Sequence, residues 1–530
     1  MTDTQFVPGT VRIEAIKDGK TVLSLQPTSD PNEPLNWSTG RKTLHMTLLC
    51  FYTVFVFATV TVITPVWGNL FADRGFSFTV LNYANATNFA ALSVGCYLFV
   101  PFAMRFGRRQ IYILSGLIVF AVGIWQAEMK TEGDLYGSQI VGGLAGAVNE
   151  ALFQVTVADL FYVHQRGTMN GIYLIMVTIG NCLGPVASGY VAAGQSWHWS
   201  FWWCAIFMGA TCVAMIFFLE ESLWRVGVTA IATSPEAIES PEIDSKDEAF
   251  VNATATETNS IKSYPKRVVE IDNTIPMKSY WERHTFTFSA KNFQASRFFA
   301  HYLEPILILY RFPIVAFTAI QYGFNIACLA ILVITQSTLY VEPPYLMGSI
   351  GVGNMSIPTA IGSFIGAFFG GPCIDWFLLR LSKRNGGIYE PEMRLYLYTV
   401  PALFMATGIF MYGLTIARGM PWIINAVGAA FMGGGLGGMC DMSLAYLQDS
   451  YRGMVGDALV PVAFVRNICG TILAFSVTPW MSGMGTYNMF VLLGCLSLFI
   501  SSLHIPMIIW GKQSRIATAE KYLDYLKGQE

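Results

Sequence analysis

GGLAGAVNEALFQVTVADLF at residues 142–161 and GGGLGGMCDMSLAYLQDSY at residues 433–451 each carry a carboxylate deep in an apolar run, Glu150 and Asp441. In both stretches glycines precede the acid and a second acid follows, Asp159 or Asp449. An Arg-Gly pair comes soon after, Arg166-Gly167 and Arg452-Gly453. A carboxylate inside a bilayer is costly, and such residues face a water-filled path or a partner. Meeting the pattern twice implies a duplicated membrane core with acids at its centre.

The rest of the chain is composed for a bilayer. Hydrophobic residues make up 53% of the 530 and charged residues only 12%, where soluble domains carry roughly 25% charged. The apolar residues gather into twelve blocks of about 20 residues, long enough to cross a membrane. They are 44–66, 81–103, 110–129, 135–158, 170–192, 200–219, 312–337, 351–373, 395–417, 421–446, 456–480 and 486–510. Arg311, Pro313 and the preceding HYLEPILILY blur the start of block seven. The expected fold is an all-α integral membrane protein with twelve transmembrane helices in two six-helix bundles. Its expected divisions are a tail over 1–43, a bundle over 44–220, a linker over 221–305, a second bundle over 306–511 and a tail over 512–530. The linker contains TSPEAIESPEIDSKDEAFVNATATETNS, too acidic and too poor in apolar residues to bury a core, and reads as disordered.

Orientation follows from basic residues near the block ends. One side carries thirteen: Arg41, Lys42, Arg105, Arg108, Arg109, Arg166, Arg380, Lys383, Arg384, Arg394, Arg452, Lys512 and Arg515. The other carries Arg74, Lys130 and Arg418. Thirteen against three places both termini in the cytosol. The first 43 residues lack a leading apolar region, so no cleavable signal is expected.

Several function classes fall away. The ten cysteines lie in apolar segments without zinc or disulfide spacing, so no metal is expected. No basic tract argues for nucleic acid. A phosphate-binding GxxxxGK[ST] loop, HExxH and a nucleophile elbow are all absent from the sequence. Neither ATP drive nor enzymatic activity is expected, and no cofactor. The GGGLGG run at 433–438 has no preceding strand and reads as close helix packing rather than a dinucleotide loop. Six spans plus six, with an internal echo, is the signature of a secondary transporter with its site near the midplane.

Longer stretches carry a resemblance. PNEPLNWSTGRK (31–42), GCYLFVPFAMRFGRRQIYILS (95–115), VADLFYVHQRG (157–167), GNCLGPVASGYVA (180–192), LSKRNGGIYEPEMRL (381–395) and ALVPVAFVRNICGTILAF (458–475) resemble a fungal branch of the major facilitator superfamily. This is the drug:proton antiporter-like group that includes polyamine transporters. The resemblance covers most of residues 30–512 and implies two bundles rocking about a central cavity. It implies a gating motif at Gly95, Arg105, Gly107, Arg108 and Arg109, with Asp375 in the second half. The motif's usual aspartate is absent, with Ala103 or Met104 near its place. It also implies an antiporter-type motif at Gly180, Gly184, Pro185 and Gly189. Where the family commonly has a span-four arginine linked to proton coupling, this chain has Gln139.

At about 1.5 Å per residue, Glu150 lies about 13 Å and Asp441 about 12 Å in from the acids at the inner edge. Arg466 lies about 15–18 Å in, so the three share one polar layer. Each acid reads as a proton site, a cation site or a partner of Arg466, and Arg466-Asn467 equally suits an anionic group. Asn181, Gln321, Tyr322 and Asn325 are polar residues within spans and candidate cavity lining. The expected activity is export of a drug-like or secondary metabolite driven by protons, by a monomer in the cell membrane. The alternative is uptake of cationic solutes such as polyamines, and a transporter-like nutrient receptor is the reading from another class. The expected partners are a small-molecule substrate, protons and the lipid bilayer.

Overall fold

Apolar runs of this length become helices because a helix satisfies its own backbone polar groups where no water can. A computed structural model describes residues 8–12, 30–161, 163–223, 276–284, 295–386 and 388–529. Inner and outer below name the faces assigned by the charge asymmetry. In the first half, span one begins as Thr39–Thr61 and its helical run continues to Arg74. Spans two to four are Phe78–Phe106, Arg108–Ala127 and Glu132–Leu160. Span five runs Val163–Thr178, one π-helical turn Ile179–Leu183, then Gly184–Gly194. Span six is Trp197–Phe218.

In the second half, span seven is Pro313–Leu339. Span eight is pieced from Ser349–Asn354, Ser356–Phe368, a second π-helical turn Phe369–Cys373, and Ile374–Arg384. Spans nine and ten are Thr399–Ala417 and Trp422–Ser450. The last helical run, Val455–Ala517, covers 63 residues, about 95 Å of helix and far too long for one crossing. It is two spans broken at Gly485, whose φ of 79° is a left-handed conformation that glycine adopts freely. With that break, the eleven apolar helical runs among the described residues make twelve crossings.

The blurred start of block seven has a structural cause. HYLEPILILY belongs to a separate helix, Ala295–Arg311, which ends just before Pro313 opens span seven. Most of the segment expected as a linker, 224–275 and 285–294, lies outside the described residues. Near its end, Tyr280–His284 docks on the first bundle: the Tyr280 hydroxyl donates to the Phe217 carbonyl at 2.6 Å, and Arg109 Nη1 to the His284 carbonyl at 2.9 Å.

Glycine stripes set the helix crossings. A Cβ at Gly95 would stand 2.6 Å from the Ala147 Cβ, so spans two and four touch backbone to backbone. A Cβ at Gly435 would stand 2.6 Å from the Met405 nitrogen, and one at Gly438 2.8 Å from the Pro401 Cβ. Gly433 and Gly437 press on the Thr359 and Ser363 carbonyls of span eight. The GGGLGG run is therefore a two-sided packing stripe against spans eight and nine.

Candidate functional site: a charged clasp between the bundles

Glu150 on span four is held by the other bundle. Arg466 of span eleven pairs with its carboxylate through Nη2. The neighbouring Asn467 donates from Nδ2 to the same Oε2 at 2.7 Å. Asn467 Oδ1 in turn accepts from Arg466 Nε and Nη2, each at 3.3 Å. The Cys96 thiol of span two lies 3.7 Å from Glu150 Oε2 and 3.6 Å from Asn467 Nδ2. On the far side the guanidinium sits 5.4 Å over the Tyr322 ring of span seven, a cation–π arrangement. All of these groups are buried, Glu150 at 7% exposure and Arg466 at 6%. An ion pair this dry survives only with its remaining polar atoms engaged. The clasp is thus the midplane joint between the two halves.

Asp441 is different. It is partly buried and faces the π-helical turn of span eight, where a Cβ at Gly370 would stand 3.1 Å from the Asp441 Cβ. Among the described residues its carboxylate has no hydrogen-bond or ion-pair partner. The two central acids therefore have separate situations: Glu150 is tied to the other bundle, and Asp441 has no such tie among the described residues.

The other expected lining residues disperse. Tyr322 joins the clasp. Asn181 lies partly buried in the π-helical turn of span five. Gln321 is fully buried and turned into its own bundle, donating to the Ile500 carbonyl at 2.6 Å and accepting from Tyr398 at 3.1 Å. Asn325, also fully buried, lies beside that same Tyr398.

The inner face carries further charge clusters, and those around Arg108 and Arg394 involve residues expected in the gating motif. Gly107, with φ of 101°, turns span two into span three. Arg108 pairs with Asp159 at the end of span four. Arg109 donates to the Leu219 and Ile216 carbonyls at the end of span six, at 2.6 and 2.8 Å, where a cation suits a helix C-terminus. Glu221 answers by accepting from the Arg108 and Arg109 backbone N–H groups at 2.9 and 3.2 Å. The Arg105 side chain lies outside the described residues. In the second half Arg394 bridges Asp375 at 3.1 Å and Asp449 at 2.5 Å, and Tyr389 donates to Asp449 at 2.5 Å. Burial and the adjoining carboxylate raise the Tyr389 pKa, keeping the phenol a donor. Each half thus ties the acid ending its fourth helix, Asp159 or Asp449, to an arginine near the start of its third.

Outer contacts join the halves as well. Asn82 of span two donates to Thr478 Oγ1 at 2.8 Å and to the Ala474 carbonyl at 3.2 Å on span eleven. Gly189 of span five meets Ser349 of span eight, whose hydroxyl donates to its carbonyl at 3.2 Å. A Cβ at Gly353 would stand 2.7 Å from the Pro185 carbonyl oxygen. Gly180 faces span one instead, 2.7 Å from the Val54 carbonyl oxygen by the same measure, and Gly184 packs on Ala58 of that span. Sequence reasoning missed Asn82 and Cys96, since neither a lone asparagine nor a lone cysteine in a span announces a partner on another bundle.

Comparison with known proteins agrees with this architecture. A sequence model described as the Major Facilitator Superfamily matches residues 49–474. An uncharacterized MFS-type transporter of Schizosaccharomyces pombe, C1271.10c, is 32% identical over 96% of this chain and 90% of its own length. Protein HOL1 of Saccharomyces cerevisiae is 29% identical over 95% and 91%. The efflux pump vrtL of Penicillium aethiopicum is 24% identical over 93% and 90%. Among solved structures, the proton:xylose symporter XylE superposes with a TM-score of 0.57 at 11% identity, covering 89% of this chain and 97% of that one. On its twelve spans, its two clasped bundles and this match across most of its length, the chain belongs to the Major Facilitator Superfamily.

Proposed function

We propose that this secondary transporter carries a small organic cation, with Asp441 as the carboxylate that receives the cargo's ammonium group. The observation carrying the reading is the division of labour between the central acids. Arg466 neutralises Glu150, whereas Asp441 has no partner among the described residues. A carboxylate without a partner among the described residues, facing the π-helical turn of span eight, is an attractive place for a desolvated cation, because opposite charges attract most strongly where the dielectric is low. Glu150 serves as the proton acceptor. Its protonation removes the attraction to Arg466, loosens the clasp, and lets the halves rock. The protein works as a monomer in the cell membrane with both termini cytosolic.

A second reading, efflux of a drug-like or secondary metabolite in exchange for protons, is favoured by the glycine seam of span five and by a relative named as an efflux pump. Equilibrium binding of tritiated spermidine to purified protein separates the two. The cation reading expects Asp441→Asn to weaken binding by about tenfold, roughly 1.4 kcal/mol. Unchanged binding in that variant, or none in the wild type, removes Asp441 from the role.

A further inference from the structure

The inner face of the second bundle holds an extended segment from the chain's own beginning. Strand β1, Val11–Arg12, pairs antiparallel with β2, Ile388–Tyr389, with Val11 opposite Tyr389 and Arg12 opposite Ile388. Just upstream, Arg515 reaches the same segment from the end of the last helical run, Val455–Ala517. Its Nη1 donates to the Pro8 carbonyl and, at 3.0 Å, to Thr10 Oγ1. Its Nε and Nη2 hold Glu392 at 2.8 and 2.6 Å. Arg515 is fully buried, and a buried guanidinium is tolerated only where its donors are engaged. Glu392 engages two of its nitrogens and residues 8–10 engage the third.

Gly9 fits this cradle in a way no other residue would. Its φ is 80°, and a Cβ would stand 2.6 Å from the Asp449 carbonyl oxygen and 3.0 Å from the Ser450 Cα. Glycine is therefore required twice over, by conformation and by space. The cradle's floor is the same Asp449 whose carboxylate gathers Arg394 and Tyr389. A second anchor holds the tail to the first bundle: Lys42 Nζ donates to the Leu35 carbonyl at 2.9 Å, and Trp37 is buried beneath the Arg41 guanidinium. Residues 13–29 join the two anchors, a length that reaches at most about 60 Å.

We propose that this cradle is a peptide-docking site, occupied in cis by residues 8–12, and that the tail thereby tethers one bundle to the inner-face charge cluster of the other. The inference does not depend on the cargo. Its test uses the full chain and a chain lacking residues 1–12, both in nanodiscs, titrated with a fluorescein-labelled peptide of residues 5–15. The truncated chain should bind the peptide about tenfold more tightly than the full chain, whose site is already filled. A peptide carrying Gly9→Val should lose that binding. A full-length chain carrying Gly9→Val, with its tail released and nothing removed, should take up the unaltered peptide as the truncated chain does. Equal affinity for full and truncated chains overturns the proposal. So does undiminished binding of the Gly9→Val peptide, or failure of both altered chains to bind.

Discussion

At the residue scale, the sequence places three charges in one layer but cannot choose their pairing. Glu150 and Asp441 have near-equal depth and similar glycine-rich surroundings, and either suits Arg466. The choice lies in the contact between spans four and eleven, which are 316 residues apart at Glu150 and Arg466, and no local pattern encodes it. Tyr322 and Gln321 are equal candidates for cavity lining by sequence, yet Tyr322 joins the clasp whereas Gln321 one residue earlier points into its own bundle. Adjacent residues on a helix face different ways. The pairing has an energetic signature. Glu150→Gln strands a buried guanidinium, which costs about 3–5 kcal/mol of stability. The double variant Glu150→Gln with Arg466→Gln should be more stable than Glu150→Gln alone, as read from thermal unfolding in detergent. A double variant less stable than the single one contradicts the pairing.

At the scale of elements, the spans are legible because twenty apolar residues in a row leave few alternatives. Their interruptions are less so. The π-helical turns of spans five and eight, the helix Ala295–Arg311 and the break at Gly485 depend on packing that a hydropathy window averages away. Reading GGGLGG as packing agrees with its contacts, since small residues let helix backbones approach. The glycines differ sharply in consequence. Gly435→Val forces a side chain into the Met405 backbone and should prevent the second bundle from folding, seen as loss of monodisperse protein on size-exclusion chromatography. Gly171→Val, where a Cβ meets nothing within 4 Å, should elute as the wild type does. Identical behaviour of the two variants would show that the stripe does not set the crossing.

At the scale of the whole molecule, the halves meet at the outer ends of spans two and eleven, along spans five and eight, and at the midplane clasp. The inner-face tail was beyond sequence reading because Glu392 and Arg515 lie 123 positions apart and each looks like an ordinary flank charge. Alternating access requires the outer contacts to part. Cysteines introduced at Asn82 and Thr478, whose side chains touch across the halves, should cross-link on oxidation and halt transport, and reduction should restore it. Full transport by the cross-linked protein would rule out rocking about this seam.

The account turns on Asp441 meeting the cargo while Glu150 couples the movement to protons. Labelled spermidine flux into proteoliposomes, with and without an imposed pH gradient, tests both together. Wild-type flux should respond to the gradient, Asp441→Asn should lower flux about tenfold under either condition, and Glu150→Gln should leave a flux indifferent to the gradient. Gradient-driven flux undiminished in both variants would contradict the account.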